Sequence, residues 1–226
     1  MPDVTSGVPS GLRERKKLRT RATLIDAAAT LCEKRGYDNT TVDQIAAAAD
    51  VSPRTFSRYF PTKVSVVAAI TDDLDEMIAA VMERLPGEMT AYDALLAASL
   101  EVFRSRNGVE SNGFRRMATL IRIINGSTSY RTAALGLRHD ITEKATMRVM
   151  ARRLGVPPDH RSVTLITDVW AVLFSESFAG LGLEGNDAIT PEVISDRLTA
   201  TVTTFRGTWT PWCSDPSADG QPHTSA

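Results

Sequence analysis

Apolar side chains recur at intervals of three and four through most of this chain, and no stretch alternates apolar and polar residues for long in the manner of a strand. The pattern predicts about nine helices and no sheet. The first begins within residues 12–20 and sets Leu24, Ile25, Ala28, Leu31 and Cys32 along one stripe. Gly36 closes it, because a residue without a Cβ enters the left-handed region at no steric cost. Thr41 opens a short second helix with Gln44 three positions on, a capping-box spacing, and Val42, Ile45, Ala46 and Ala49 supply its inner face. After a tight turn at Asp50 and Val51, Ser52 followed by Pro53 starts a third helix to about Phe60. Pro61 ends it, and Thr62 caps a long unbroken helix to Leu85, stopped by Pro86 and Gly87. Five more are expected near residues 90–106, 112–125, 128–154, 158–181 and 190–206. Residues 1–11 and 207–226, rich in Pro, Gly and Ser, read as a flexible lead and a disordered tail.

Residues 41–60 have the dimensions of a helix-turn-helix. In its second helix Val51, Phe56 and Phe60 can turn inward, which leaves Arg54, Thr55, Ser57, Arg58 and Tyr59 to reach outward. No acid occurs between Val51 and Lys63, as a surface facing DNA phosphates requires. Net charge over the 226 residues is only -1, but residues 1–63 hold eleven Lys and Arg against seven Asp and Glu. Within them Arg13, Arg15, Lys16, Lys17, Arg19 and Arg21 stand against Glu14 alone. Such a run reads as a solvated arm, or, ahead of a helix-turn-helix, as one that neutralises phosphate.

The segment TRATLIDAAATLCEKRGYDNTTVDQIAAAADVSPRTFSRYFPTK resembles the DNA-binding domain of the TetR family. Its specific elements are RGY before TTVDQIA, then VSPRTFSRYF, then the Pro-Thr-Lys at the start of the fourth helix; Ser57 stands where many relatives carry an aromatic residue. The resemblance implies that Thr41, Tyr59 and Lys63 touch phosphate while Arg54, Thr55 and Ser57 face base edges. It also implies a homodimer on double-stranded operator DNA, regulated by a small-molecule ligand, most simply as a repressor. The expected architecture is therefore all-α: an N-terminal three-helix DNA-binding domain over residues 12–65 and a helical ligand-sensing and dimerisation domain over residues 66–206.

In the larger part, the segment from Val163 to Phe178 carries apolar residues around nearly its whole circumference, so it needs cover on all sides. A partner chain supplies that cover in the family, through helices eight and nine; Val169, Leu173, Val193, Leu198, Val202 and Phe205 are the expected contributors. A central helix of a monomer is the other reading. Phe103, Met117, Leu120, Ile121, Ile124, Met147, Met150, Trp170 and Phe174 are candidates to line a ligand pocket, with Arg122, Asn125, His139 or Thr167 as polar fixers. The balance points to an apolar or amphipathic ligand, although the same residue types fill any core.

Chemistry of other kinds finds little support. His139, His160 and His223 are isolated, and GLGLEG at 180–185 follows a helix rather than a strand. No catalysis, cofactor or metal is expected. An architectural DNA binder without a sensor would call for a smaller or more basic C-terminal region. Cys32 and Cys213 lie in unlike surroundings, and no secretory leader or membrane span is evident, so the expected location is the cytoplasm.

Overall fold

The computed structural model describes residues 10–104, 112–135, 144–183 and 188–213. Among them are eleven α-helices, one 310 turn and no strand. The helices are α1 (Ser10–Arg35), α2 (Val42–Ala48), α3 (Pro53–Tyr59), α4 (Lys63–Ala68), α5 (Asp72–Arg84), α6 (Ala91–Arg104), α7 (Asn112–Gly126), α8 (Thr128–Leu135), α9 (Ala145–Leu154), α10 (Arg161–Ser177) and α11 (Pro191–Cys213).

Local signals act where the sequence places them. Gly36, at φ 78°, follows α1, and its amide donates to the Cys32 carbonyl at 2.9 Å. Thr41 and Gln44 form a reciprocal capping box on α2, and Ser52 caps α3 with Pro53 in the first turn. Asp50 makes the intervening turn at φ 54°, a left-handed conformation that aspartate tolerates better than most residues.

Four expectations on helix extent are corrected. The rod expected over residues 62–85 is interrupted by a 310 turn at Ala69–Thr71, after which Asp72, Asp73 and Asp75 fill the first turn of a new helix. Carboxylates there offset the positive end of the helix dipole, so a restart is well supported. The helix expected over 128–154 is two helices, for Lys144 is extended (φ -62°, ψ 142°) ahead of α9. The last helix continues past Arg206 through Gly207 to Cys213. At the other end α1 begins at Ser10, inside the expected lead.

Two apolar cores result. The first joins Leu24, Ala28 and Cys32 of α1 to Ile45 of α2, Phe56 of α3 and Val66 and Val67 of α4; Leu120 and Ile123 of α7 and Tyr130 of α8 also enter it. The second gathers Leu74, Ile78 and Met82 of α5 with Leu95 and Phe103 of α6, Met147 and Met150 of α9, Leu173 of α10 and Leu198 of α11. Phe114, Met117 and Ile121 of α7 enter this one. Opposite faces of α7 thus serve the two cores, as its helical spacing allows.

Candidate nucleic-acid interface

The exposed face of α3 follows from what its other face buries. Phe56 and Phe60 lie in the first core with ring centroids 6.0 Å apart, which turns Arg54, Ser57 and Arg58 to solvent and leaves Thr55 and Tyr59 half-buried. Ser52 Oγ accepts from the Thr55 amide at 3.1 Å, and Ser57 Oγ donates to the Pro53 carbonyl at 3.1 Å. The Arg58 guanidinium lies 5.3 Å from the Tyr59 ring centroid.

Lys63 sits in a more defined place than a solvated lysine. Its Nζ donates to the carbonyls of Tyr37 and Thr40, each at 2.8 Å, and lies 3.9 Å from the centroid of the Tyr37 ring. Thr40 precedes Thr41, so Lys63 and the capped start of α2 adjoin. Two of the three protons of an ammonium are directed to these carbonyls, which leaves one for an outside acceptor. Every sequence-derived interface residue, Thr41, Arg54, Thr55, Ser57, Arg58, Tyr59 and Lys63, lies on α3 or at the starts of α2 and α4.

Polar links tie this unit to the helices behind it. Asp72 accepts from Arg21 of α1 and Lys144, both at 2.6 Å, and Arg21 also lies 5.2 Å from the Phe60 ring centroid. Arg116 of α7, only 11% exposed at its side chain, bridges Asp26 of α1 and Asp73 of α5. Glu33 and Arg122 approach to 3.5 Å. Asp38 accepts from Ser129 and Ser127, and these hydroxyls hold its carboxyl below the usual carboxylate range. Burial pushes the Cys32 thiol up despite the nearby Lys63 charge. A cleft of about 190 Å³ at this joint is lined by Cys32, Glu33, Tyr37, Thr119 and Arg122 among others. Sequence reasoning missed the joint, because its partners are up to 91 residues apart and no local pattern marks them.

The expected pocket set divides. Phe103, Met117, Ile121, Met147 and Met150 pack together in the second core, whereas Leu120 and Ile124 belong with the first. Trp170 and Phe174 are half-buried: Trp170 meets Tyr92 edge-on at 5.8 Å, and Phe174 meets Phe178 at 4.5 Å. The Tyr92 hydroxyl is buried without a hydrogen-bond partner, a feature its sequence position does not signal. Asn125, expected as a polar fixer, instead donates to the carbonyls of Phe178 and Leu181, both at 2.7 Å, and so caps the end of α10. Arg122 faces Glu33, and Thr167 Oγ1 donates to the Val163 carbonyl at 2.9 Å. His139 lies outside the described residues.

The expected dimer set divides as well. Leu173, Leu198 and Val202 are already buried within one chain, while Val169, Val193 and Phe205 are half-buried. Leu165 and Val172 of α10 are the exposed ones, at 60% and 52%. A helix apolar all round does not say in its sequence which side the chain itself covers.

An all-helical chain with a capped helix-turn-helix at its N-terminal end, presenting an acid-free helix to solvent, is of the class of helix-turn-helix regulators. Residues 24–70 match the family described as bacterial regulatory proteins, tetR family. The chain belongs to the TetR family of transcriptional regulators. It is 36% identical over 152 residues to the HTH-type transcriptional regulator TcmR of Streptomyces glaucescens, an alignment that covers 66% of each chain. To the uncharacterised HTH-type regulator YvkB of Bacillus subtilis it is 32% identical over 114 residues, covering 49% of this chain and 59% of that one. Among solved structures, Thermus thermophilus FadR in complex with lauroyl-CoA is 22% identical, with 81% of this chain and 91% of that one covered and a TM-score of 0.45. SmeT, the repressor of a Stenotrophomonas maltophilia multidrug efflux pump, is 20% identical, with 83% and 89% covered and a TM-score of 0.44.

Proposed function

We propose that this chain is a cytoplasmic homodimeric repressor that holds double-stranded operator DNA through α3 and releases it when a small apolar or amphipathic ligand binds. The observation that carries the reading is the outward face of α3, where Arg54, Ser57 and Arg58 are exposed with no carboxylate from Val51 to Lys63. Arg54 suits bidentate pairing with a guanine, and Thr55 and Ser57 suit base edges beside it. Thr41, Tyr59 and Lys63 take phosphates, since a capped helix start and an ammonium both favour anions. Arg58 joins this surface from its place beside Tyr59.

Residues 12–65 form the DNA-binding unit in this reading, and residues 66–206 the sensing and dimerising one. A second copy covers Leu165, Val169 and Val172, which follow one another at i, i+4 and i+7 along one stripe of α10. Ligand enters beside Tyr92 and Trp170, whose rings meet edge-on and where the Tyr92 hydroxyl is buried without a partner, with Phe174 one turn along α10. The signal passes through α7, which belongs to both cores and caps α10 through Asn125. The ligand favours a dimer whose two α3 helices no longer match a whole-turn half-site spacing.

The test is fluorescence anisotropy with duplexes from either side of the gene, each against a scrambled duplex of equal length, alongside a thermal-shift screen of lipophilic compounds. Preference for one flanking duplex, lost on adding a compound that raises Tm, is the expected result. Equal binding to all duplexes rejects base reading by α3. Linkage further requires operator DNA to weaken ligand affinity by the factor by which ligand weakens DNA affinity, so equal ligand affinities with and without DNA reject the release mechanism.

A further inference from the structure

The first three turns of α1 are a helix without a core. Gly11 to Arg19 are exposed without exception, and the first buried side chain is Leu24. Over these residues Arg13, Arg15, Lys16, Lys17 and Arg19 face Glu14 alone, which pairs loosely with Lys17 at 3.9 Å. Their placement disfavours an isolated helix twice over. No acid stands in the first turn, so the cations sit at the positive end of the helix dipole. The like-charged pairs Arg13 and Lys17, and Arg15 and Arg19, are spaced i, i+4, where they repel. A polyanion laid along the helix removes both penalties.

The segment also lacks what a membrane or a protein groove would need. Leu12 and Leu18, exposed at 72% and 58%, are six residues apart and therefore point about 120° from each other, so they make no common apolar face. Two residues beyond the cationic stretch, Arg21 lies over the ring of Phe60, the residue that closes α3. The arm thus leaves the domain beside the end of the helix that faces DNA. At about 1.5 Å per residue it reaches roughly 15 Å, the rise of about four base pairs.

We infer that residues 11–19 form a second DNA-contacting element, which runs along the phosphate backbone flanking the site read by α3 and binds by charge alone. This rests on the DNA-binding reading above and adds to it a surface that reads no sequence. The test compares the full chain with a variant carrying Arg13→Gln, Arg15→Gln, Lys16→Gln, Lys17→Gln and Arg19→Gln, by anisotropy on a cognate and a scrambled duplex across a range of salt concentrations. Glutamine keeps helix propensity, and the sites lie outside both cores, so Tm does not fall. The expected result is a fall of about three to five per arm in the slope of log affinity against log salt, doubled where a dimer engages both arms, equal on both duplexes, with the preference between them intact. An unchanged slope alongside intact preference overturns the arm and leaves base reading by α3 standing. A fallen slope in a protein without any duplex preference supports the arm and rejects base reading. Loss of binding to phosphatidylglycerol vesicles in the variant, with an unchanged DNA slope, overturns the inference in favour of a lipid surface.

Discussion

Helices α3 and α10 share a deficit and differ in its chemistry. In α3 only Phe56 is buried, and in α10 only Val163, Leu173 and Ser177 are. Each is anchored in its core by few fully buried side chains. What α3 leaves uncovered is cationic and hydroxylic, and water solvates it at no cost. What α10 leaves uncovered includes Leu165 and Val172, and burial of each such side chain is worth about 1.5–3 kcal/mol. An uncovered polar face is available to a polyanion, whereas an uncovered apolar one gains by meeting a second apolar surface. The comparison teaches that low burial in a helix says a partner is missing, and the composition of the bare face says which kind.

The comparison breaks most visibly at α10. Val172→Glu together with Leu165→Glu sets charges where a second copy would bury apolar groups, and we expect dimer affinity and operator affinity each to fall more than about a hundredfold, because an unpaired buried charge costs several kcal/mol. Sedimentation velocity reads the first effect and anisotropy the second. A dimer that persists would assign the bare stripe to something other than self-association. For α3, Arg54→Ala should cost about 1–3 kcal/mol on the cognate duplex and little on a scrambled one. Equal losses on both would move Arg54 from base reading to phosphate.

Lys63→Ala sharpens the comparison at the edge of the interface. Loss of two charge-assisted hydrogen bonds to the Tyr37 and Thr40 carbonyls should lower stability by about 1–2 kcal/mol, and loss of one phosphate contact should lower the salt slope by about one. A fall in Tm with the slope unchanged would confine Lys63 to bracing the loop between α1 and α2. The smallest effect belongs to Asp38. Its carboxyl is held low by the Ser129 and Ser127 hydroxyls, so its contribution to stability is complete above about pH 4 and is lost as pH falls through the depressed folded value. The Tm difference between the wild type and Asp38→Asn should therefore shrink as pH drops below about 4; a difference constant with pH would mean that the hydroxyls do not favour the charged form.

The two regions also differ in how much of them could be read in advance. Each cap in the helix-turn-helix is a local event: Thr41 with Gln44, Ser52 with Thr55, and Gly36 with Cys32 act within four residues. A one-dimensional pattern carries such signals, and the acid-free face of α3 came with them. The breaks at Ala69–Thr71 and before Ala145 were hidden because apolar spacing continues across them. Three aspartates at 72, 73 and 75 mark the first, since acids favour the first turn of a helix. The assignment of faces on α7, α10 and α11 had no local carrier. Leu120 and Ile121 are neighbours in sequence yet enter different cores, a choice made by which helices arrive on either side.

The 310 turn at Ala69–Thr71 has one further consequence. Its hydrogen bonds are poorer in geometry than those of the α-helices on either side, so its backbone opens at a lower free energy than theirs. Ala69 and Ile70 are buried nonetheless, so deuterium enters this turn only through that local opening. A brief pulse of heavy water should label its amides ahead of the flanking turns, at a rate set by how firmly Arg21 and Lys144 hold Asp72 just beyond it. Three consecutive amides thus serve as a clock for local opening at the junction of α4 and α5, timed without any knowledge of operator or ligand.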